Sequence, residues 1–224
     1  SVKIDKVLDN MNNSKSYTMN VEITNDSITS KSKIEFDKSN GISRQTASVD
    51  LNGTPTETIM YTQVSDNKVI SYTKGMFGDN WIYSEVEGTT IHLDGKTDVF
   101  NLEPSKFTKV KSNIKGIYKY EADLSGIEDG NGVKCYVYTD GKYITKVEMT
   151  SDDFNEVITF SDVDNTFVIV PDDVKENAKK IGEIDFSDID LSQYNDIDIS
   201  DIDNDAIKEQ IEKAKEYMNS DEFK

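Results

Sequence analysis

The sequence predicts a mainly β (α+β) fold: a strongly curved antiparallel sheet, an incomplete barrel of about 11–12 strands wrapped over helices, plus a C-terminal helix. Three observations predict it. Apolar residues recur at every second position, as in Tyr17, Met19, Val21 and Ile23 set between Thr18, Asn20, Glu22 and Thr24. That period describes strands with one face on a core and one in water. Turn dipeptides punctuate the chain at short intervals. The residue types that usually carry chemistry are scarce: among 224 residues there is one His (His92), one Cys (Cys135) and one Arg (Arg44).

The first element is a short helix, because Ile4, Val7, Leu8 and Met11 fall at i, i+3, i+4 and i+7. Asn12-Asn13-Ser14 ends it. Strands are expected near 16–25, 28–37, 43–51, 57–64, 67–74, 80–86, 105–111, 117–124, 133–139, 143–150, 155–161 and 166–170. Asn40-Gly41, Asn52-Gly53, Asp94-Gly95, Asp129-Gly130 and Asp140-Gly141 suit turns that need positive φ. Val69, Ile70 and Tyr72, and then Trp81, Ile82 and Tyr83, are apolar on both faces, as strands covered on two sides would be. Residues 87–105 read as an irregular loop with a short helix. Pro171-Asp172-Asp173 opens a helix, with Pro in the first turn and acids at the positive end of the dipole. Val174, Ala178 and Ile181 form its stripe.

At Gly182 the composition changes. Residues 183–205 hold nine acidic side chains and no Lys or Arg, half of the net charge of −18. Ile184-Asp185-Phe186-Ser187-Asp188-Ile189-Asp190 recurs as Ile197-Asp198-Ile199-Ser200-Asp201-Ile202-Asp203. The interposed apolar residues predict an ordered strap docked on the domain. An amphipathic helix follows, with Ile207, Ile211, Ala214 and Met218 in its stripe. The expected organisation is a domain over 1–181 and an acidic strap with a helix, packed on it, over 182–224.

The charge balance argues against nucleic acid, which requires clustered Lys and Arg. No run approaches the ~20 apolar residues of a membrane-spanning helix. The start at Ser1-Val2-Lys3, without an initiator Met or signal peptide, is read as a chain from which a leader has been removed. Cys135 lies inside an apolar strand pattern and is expected to be a packed, inert thiol. His92 has no partner at zinc-ligand spacing, and no Ser sits in a nucleophile elbow. Asp201, Asp203, Asp205, Glu209 and Glu212 match positions 1, 3, 5, 9 and 12 of a calcium loop. Ala206 stands where that loop needs Gly, so an acidic helix start is preferred. Tyr72, Phe77, Trp81, Tyr83, Tyr118, Tyr120, Tyr136 and Tyr138 could line a cavity or stack carbohydrate; ordinary sheet core is the simpler reading. No catalytic, metal or cofactor residue is assigned.

The order of these elements resembles the LolA/LppX-like lipoprotein fold, and more closely surface lipoproteins of Gram-positive bacteria. The resemblance rests on the opening helix leading into Lys15-Ser16-Tyr17-Thr18-Met19, and on Asn67-Lys68-Val69-Ile70-Ser71-Tyr72 followed by Asp79-Asn80-Trp81-Ile82-Tyr83. It rests also on the Tyr138–Tyr143 hairpin with Thr145–Met149, and on Val168-Ile169-Val170-Pro171-Asp172-Asp173. It covers about residues 2–181. It implies a curved half-barrel over a helical plug, a concave apolar side that carries lipid acyl chains in better-known members, export, and a lipid-modified N-terminal Cys absent from this chain. The expected function is therefore a non-enzymatic cell-surface lipoprotein binding a lipid or other apolar ligand. The alternative is a surface interaction module engaging a protein or cell-wall polymer.

Overall fold

Alternation and turn chemistry lay the chain out as two meanders. After α1 (Ile4–Asn12) come β1 (Ser16–Asn25), β2 (Ile28–Asp37), β3 (Ile42–Leu51), β4 (Thr54–Ser65), β5 (Lys68–Lys74) and β6 (Ile82–Glu87). The second meander is β7 (Phe107–Val110), β8 (Tyr118–Ala122), β9 (Lys134–Thr139), β10 (Ile144–Thr150) and β11 (Asn155–Ser161), with α2 (Asp172–Asn177) after it. The computed structural model describes residues 2–180 apart from 26–27, 52–53, 76–77, 88–97 and 128, together with Glu183 and Glu212.

All eleven strands join one open antiparallel sheet, ordered β6-β5-β4-β3-β2-β1-β11-β10-β9-β8-β7. The first and last strands thus pair at its centre, and β6 and β7 form its two edges. Ten spacings of ~4.8 Å put those edges ~48 Å apart along the sheet. That span explains why the connection from β6 to β7 is long. Its described part folds into 3₁₀ turns at Asp98–Asn101 and Pro104–Lys106. Val99 and Phe100 are buried there, and the Phe100 ring packs 5.3 Å from that of Phe160.

The register fixes two chemically different faces, since cross-strand partners share a face. Met19 pairs with Ile34 and Phe160, and Val21 with Ser32 and Ile158. Ile158 pairs with Val147, and Val147 with Val137. Val7, Leu8 and Met11 of α1 pack on this side, in one cluster with Tyr17, Met19, Phe36, Val137 and Phe160. Tyr120 on β8 ties the entry to α1 by donating its hydroxyl to the Val2 carbonyl at 3.1 Å.

The opposite face carries a second cluster. Ile42, Tyr61 and Tyr72 pack there against Val168, Val170 and Val174, with Trp81 and Tyr83 at its margin. α1 and α2 therefore lie on opposite sides of the sheet, and β5 and β6 carry buried apolar residues on both faces. Val69 and Ile82 belong to the α1 face, Tyr72 and Tyr83 to the other.

Two expectations need correction. Residues 166–170 form an extended segment laid across the sheet, not a twelfth strand. The alternation is real, with Thr166, Val168 and Val170 buried and Phe167 and Ile169 exposed. Its N–H groups, however, go to side chains: Thr166 donates to Ser16 Oγ at 2.9 Å and Val168 to Asp37 Oδ2 at 3.1 Å. The following helix also ends earlier than its apolar stripe suggests. Ala178 is extended, and Lys179 bridges the edge strand β6 opposite Ile82, donating to Trp81 O and accepting from Tyr83 N–H. The edge hydrogen bonds of β6 compete successfully with another helical turn. The acidic strap and the calcium-loop pattern lie outside the described residues except Glu183 and Glu212, as do His92, Phe77 and the Asn52-Gly53 and Asp94-Gly95 turns.

Candidate functional site

Charge separates the two faces of the sheet. Among the paired strand positions on the α1 side, only Glu156 and Lys109 are charged; the rest are apolar, hydroxyl or amide side chains. Lys109 lies on the edge strand β7, its Nζ 4.9 Å from the centre of the Tyr118 ring. The opposite face carries charges on most of the same strands, among them Glu22, Lys31, Lys33, Glu35, Arg44 and Glu57.

The α1 face is filled over one half and open over part of the other. Helix α1, Val99, Phe100 and Leu124 cover it across β8–β11 and the near ends of β1 and β2. The long arms of β1–β4 reach beyond that plug. Ala47, Val49 and Met60 are half-buried there, Ile34 is half-buried where the strip meets the α1 cluster, and Ile23 and Ile28 at the arm tips are exposed. Ser30, Ser32, Gln45 and Thr58 stand between them in the ladders. The outcome is an apolar strip with small hydroxyl groups and no formal charge until Glu156 on β11.

Glu156 pairs with Ile23 on one side and Met149 on the other. It has no hydrogen bond or ion pair among the described residues, and burial pushes its carboxyl above the ordinary value. Met149 in turn pairs with Cys135, so the thiol lies two strands away on the same face. Cys135 is fully buried, and its pKa is pushed up to about 12, chiefly by burial and secondarily by the Glu156 charge. It is the inert packed thiol its sequence setting suggests.

A groove of about 830 Å³ lies on the opposite face over β1–β4 and β11, lined by Glu22, Lys31, Lys33, Arg44 and Glu57 among Ser and Thr side chains. Its cations are paired: Lys31 with Glu22 at 3.7 Å, Lys33 with Glu35 at 3.6 Å, and Arg44 Nη1 with Glu35 at 3.2 Å. Arg44 Nε also donates to the Tyr61 hydroxyl at 3.1 Å.

The aromatic residues weighed as the lining of one cavity are dispersed. Tyr72, Trp81 and Tyr83 belong to the α2 cluster, and Tyr120 to the α1 face. Tyr136 and Tyr138 lie on the polar face under lysines, with Lys119 Nζ 3.7 Å from the Tyr136 ring centre and Lys146 Nζ 4.1 Å from that of Tyr138. No group of three or more metal-ligating side chains converges among the described residues. No described helix is long and apolar enough to cross a membrane.

Sequence reasoning did not single out Glu156. The signal was present, because in 155–161 it falls in phase with Ile158 and Phe160, the core-facing positions of that strand.

No protein-family model matches the sequence, and no curated protein matches it. Among solved structures, the chain is similar to LprF from Mycobacterium bovis at 12% identity, over 75% of this chain and 94% of that one, with a TM-score of 0.47. It is also similar to the Mycobacterium tuberculosis lipoprotein LppX at 13% identity, over 75% of this chain and 96% of that one, with a TM-score of 0.45.

Proposed function

We propose that this protein is a non-enzymatic lipoprotein of the cell surface that binds a lipid or other apolar ligand on the α1 face of its sheet. The ligand chain lies along the uncharged strip of β1–β4, beside the plug made by α1. One observation carries the reading: two faces of a single sheet, built from the same strands, differ almost completely in formal charge. A face meant only for water would not exclude charge over the long arms of β1–β4, where α1 does not reach. Burying apolar area is worth roughly 25 cal/mol per Å², so an acyl chain laid on this strip gains binding energy without desolvating charges. Attachment to the membrane is through a lipid-modified N-terminal Cys of the precursor, as the sequence resemblance implies.

Native mass spectrometry of the protein after exposure to mixed phospholipid and glyceride vesicles tests this. A one-to-one adduct of lipid mass is expected, and Met60→Asp, which places a charge in the strip, abolishes it. Absence of any adduct, with no displacement of a bound hydrophobic dye, rejects a ligand carrier. A second reading has its own observation. Phe167 and Ile169 are 72% and 59% exposed on the ridge that crosses the polar face. A module engaging a protein or cell-wall polymer through that ridge loses binding in the Phe167→Ser, Ile169→Ser double variant while retaining any lipid adduct.

A further inference from the structure

We propose that Glu156 selects the ligand's head: the α1 face takes an acyl chain whose polar end donates hydrogen bonds and bears no negative charge. The inference rests on the lipid-binding reading above and adds the class of ligand to it.

One line of the ladders carries the argument. Thr56, Val49, Ser30, Ile23, Glu156, Met149, Cys135, Ala122 and Phe107 pair in succession across nine strands, all on the α1 face. Glu156 is the one charge in that line. It also stands at a boundary. Cys135 and Ala122 on one side are buried in the core, whereas Ile23 on the other is 36% exposed and Ile28 beyond it 44%. A chain lying over Ile23, Val49 and the strip therefore ends its path against the carboxylate.

Among the described residues, Glu156 has no internal duty to explain its presence. It pairs with no Lys or Arg and caps no helix among the described residues. The only titratable side chain beside it in the line is the buried, neutral Cys135. A carboxylate half-buried beside Ile23 and Met149, without a partner among the described residues, is destabilised by lost hydration, and a donor from a ligand relieves that cost. An ammonium or a hydroxyl does so. A fatty-acid carboxylate or a phosphate monoester meets like charge instead.

Competition against a bound hydrophobic dye at pH 7.5 tests the assignment with three probes of equal chain length: hexadecylamine, monopalmitoylglycerol and palmitic acid. The wild-type protein is expected to bind at least one donor-headed probe about tenfold or more tighter than palmitic acid, the scale of one charge-assisted hydrogen bond. Glu156→Leu removes that preference while retaining the chain. Glu156→Gln separates the sources: it weakens hexadecylamine if charge is read, and leaves monopalmitoylglycerol bound if a hydroxyl is read. Thermal denaturation provides a readout free of ligand, because Glu156→Leu replaces an unpartnered carboxylate by an apolar side chain and raises Tm. Equal affinity of all three probes for wild type, or an unchanged ranking in Glu156→Leu, overturns the Glu156 assignment and leaves the lipid reading standing. Failure of all three to displace the dye removes the lipid reading, and the head-group assignment falls with it.

Discussion

Asp37 is the residue on which the attachment of the C-terminal segment turns. It is buried at 3% exposure, and its carboxylate accepts from the Val168 N–H at 3.1 Å, from Asn40 N–H at 3.2 Å and from Asn40 Nδ2 at 2.8 Å. Asp37→Ala leaves those donors without a partner and is expected to cost about 2–3 kcal/mol in urea denaturation, with Asp37→Asn costing less. Titration gives a second prediction. Cys135 is raised from 9.0 to about 12 by burial. Tyr138 is raised from 10.0 to about 12 by burial and by donating to Glu148, and Tyr83 likewise by donating to Glu85. For an acid whose folded pKa is raised, stability is complete below the unfolded value and is lost as pH climbs toward the folded one. Tm is therefore expected to be flat with respect to these groups up to about pH 9 and to fall between 9 and about 12. Over the same range Cys135 should resist a thiol reagent in the native protein and react once urea unfolds it. Glu156 shows what a sequence conceals at this scale: its phase placed it inward, but only the paired strands show that no described side chain answers it.

Elements were more legible than residues. The α1 stripe is buried where its spacing put it, with Val7 at 0% and Met11 at 1% exposure. Leu8→Ala is expected to cost about 2–5 kcal/mol, measured by denaturant unfolding, because the plug cannot collapse onto a rigid sheet. The ladders of β1, β2 and β11 fall where alternation set them, since a one-residue slip would expose every core side chain. The segment 166–170 was misread because alternation reports which side chains are buried and is blind to where backbone N–H groups go. α2 was overextended because edge pairing at β6 is a tertiary effect that no helical periodicity contains. Gly75, just past β5, shows a constraint of the same non-local kind. Its φ is +98°, and a Cβ there would lie 2.2 Å from the Glu57 carbonyl oxygen. Gly75→Ala is expected to lower Tm sharply, and wild-type Tm in that variant contradicts this close approach of β4.

Over the whole molecule, a single sheet presents two solvents' worth of chemistry. The meanders that meet at β1 and β11 place the dry half of the α1 face under the plug and leave the long arms of β1–β4 beyond it. Composition foretold a sheet with a wet face. It did not foretell that the second helix would pack on the wet side, because α1 and α2 stripes look alike in one dimension. The central claim is that an acyl chain occupies the α1 side of those arms. Paramagnetic broadening of methyl resonances by a monoglyceride carrying a nitroxide on its acyl chain tests that claim face by face. Stronger broadening is expected at Ile23, Ala47, Val49 and Met60 than at Ile59, Ile70 and Val168. Broadening of Ile59, Ile70 and Val168 instead, or equally weak broadening of both sets, would contradict it.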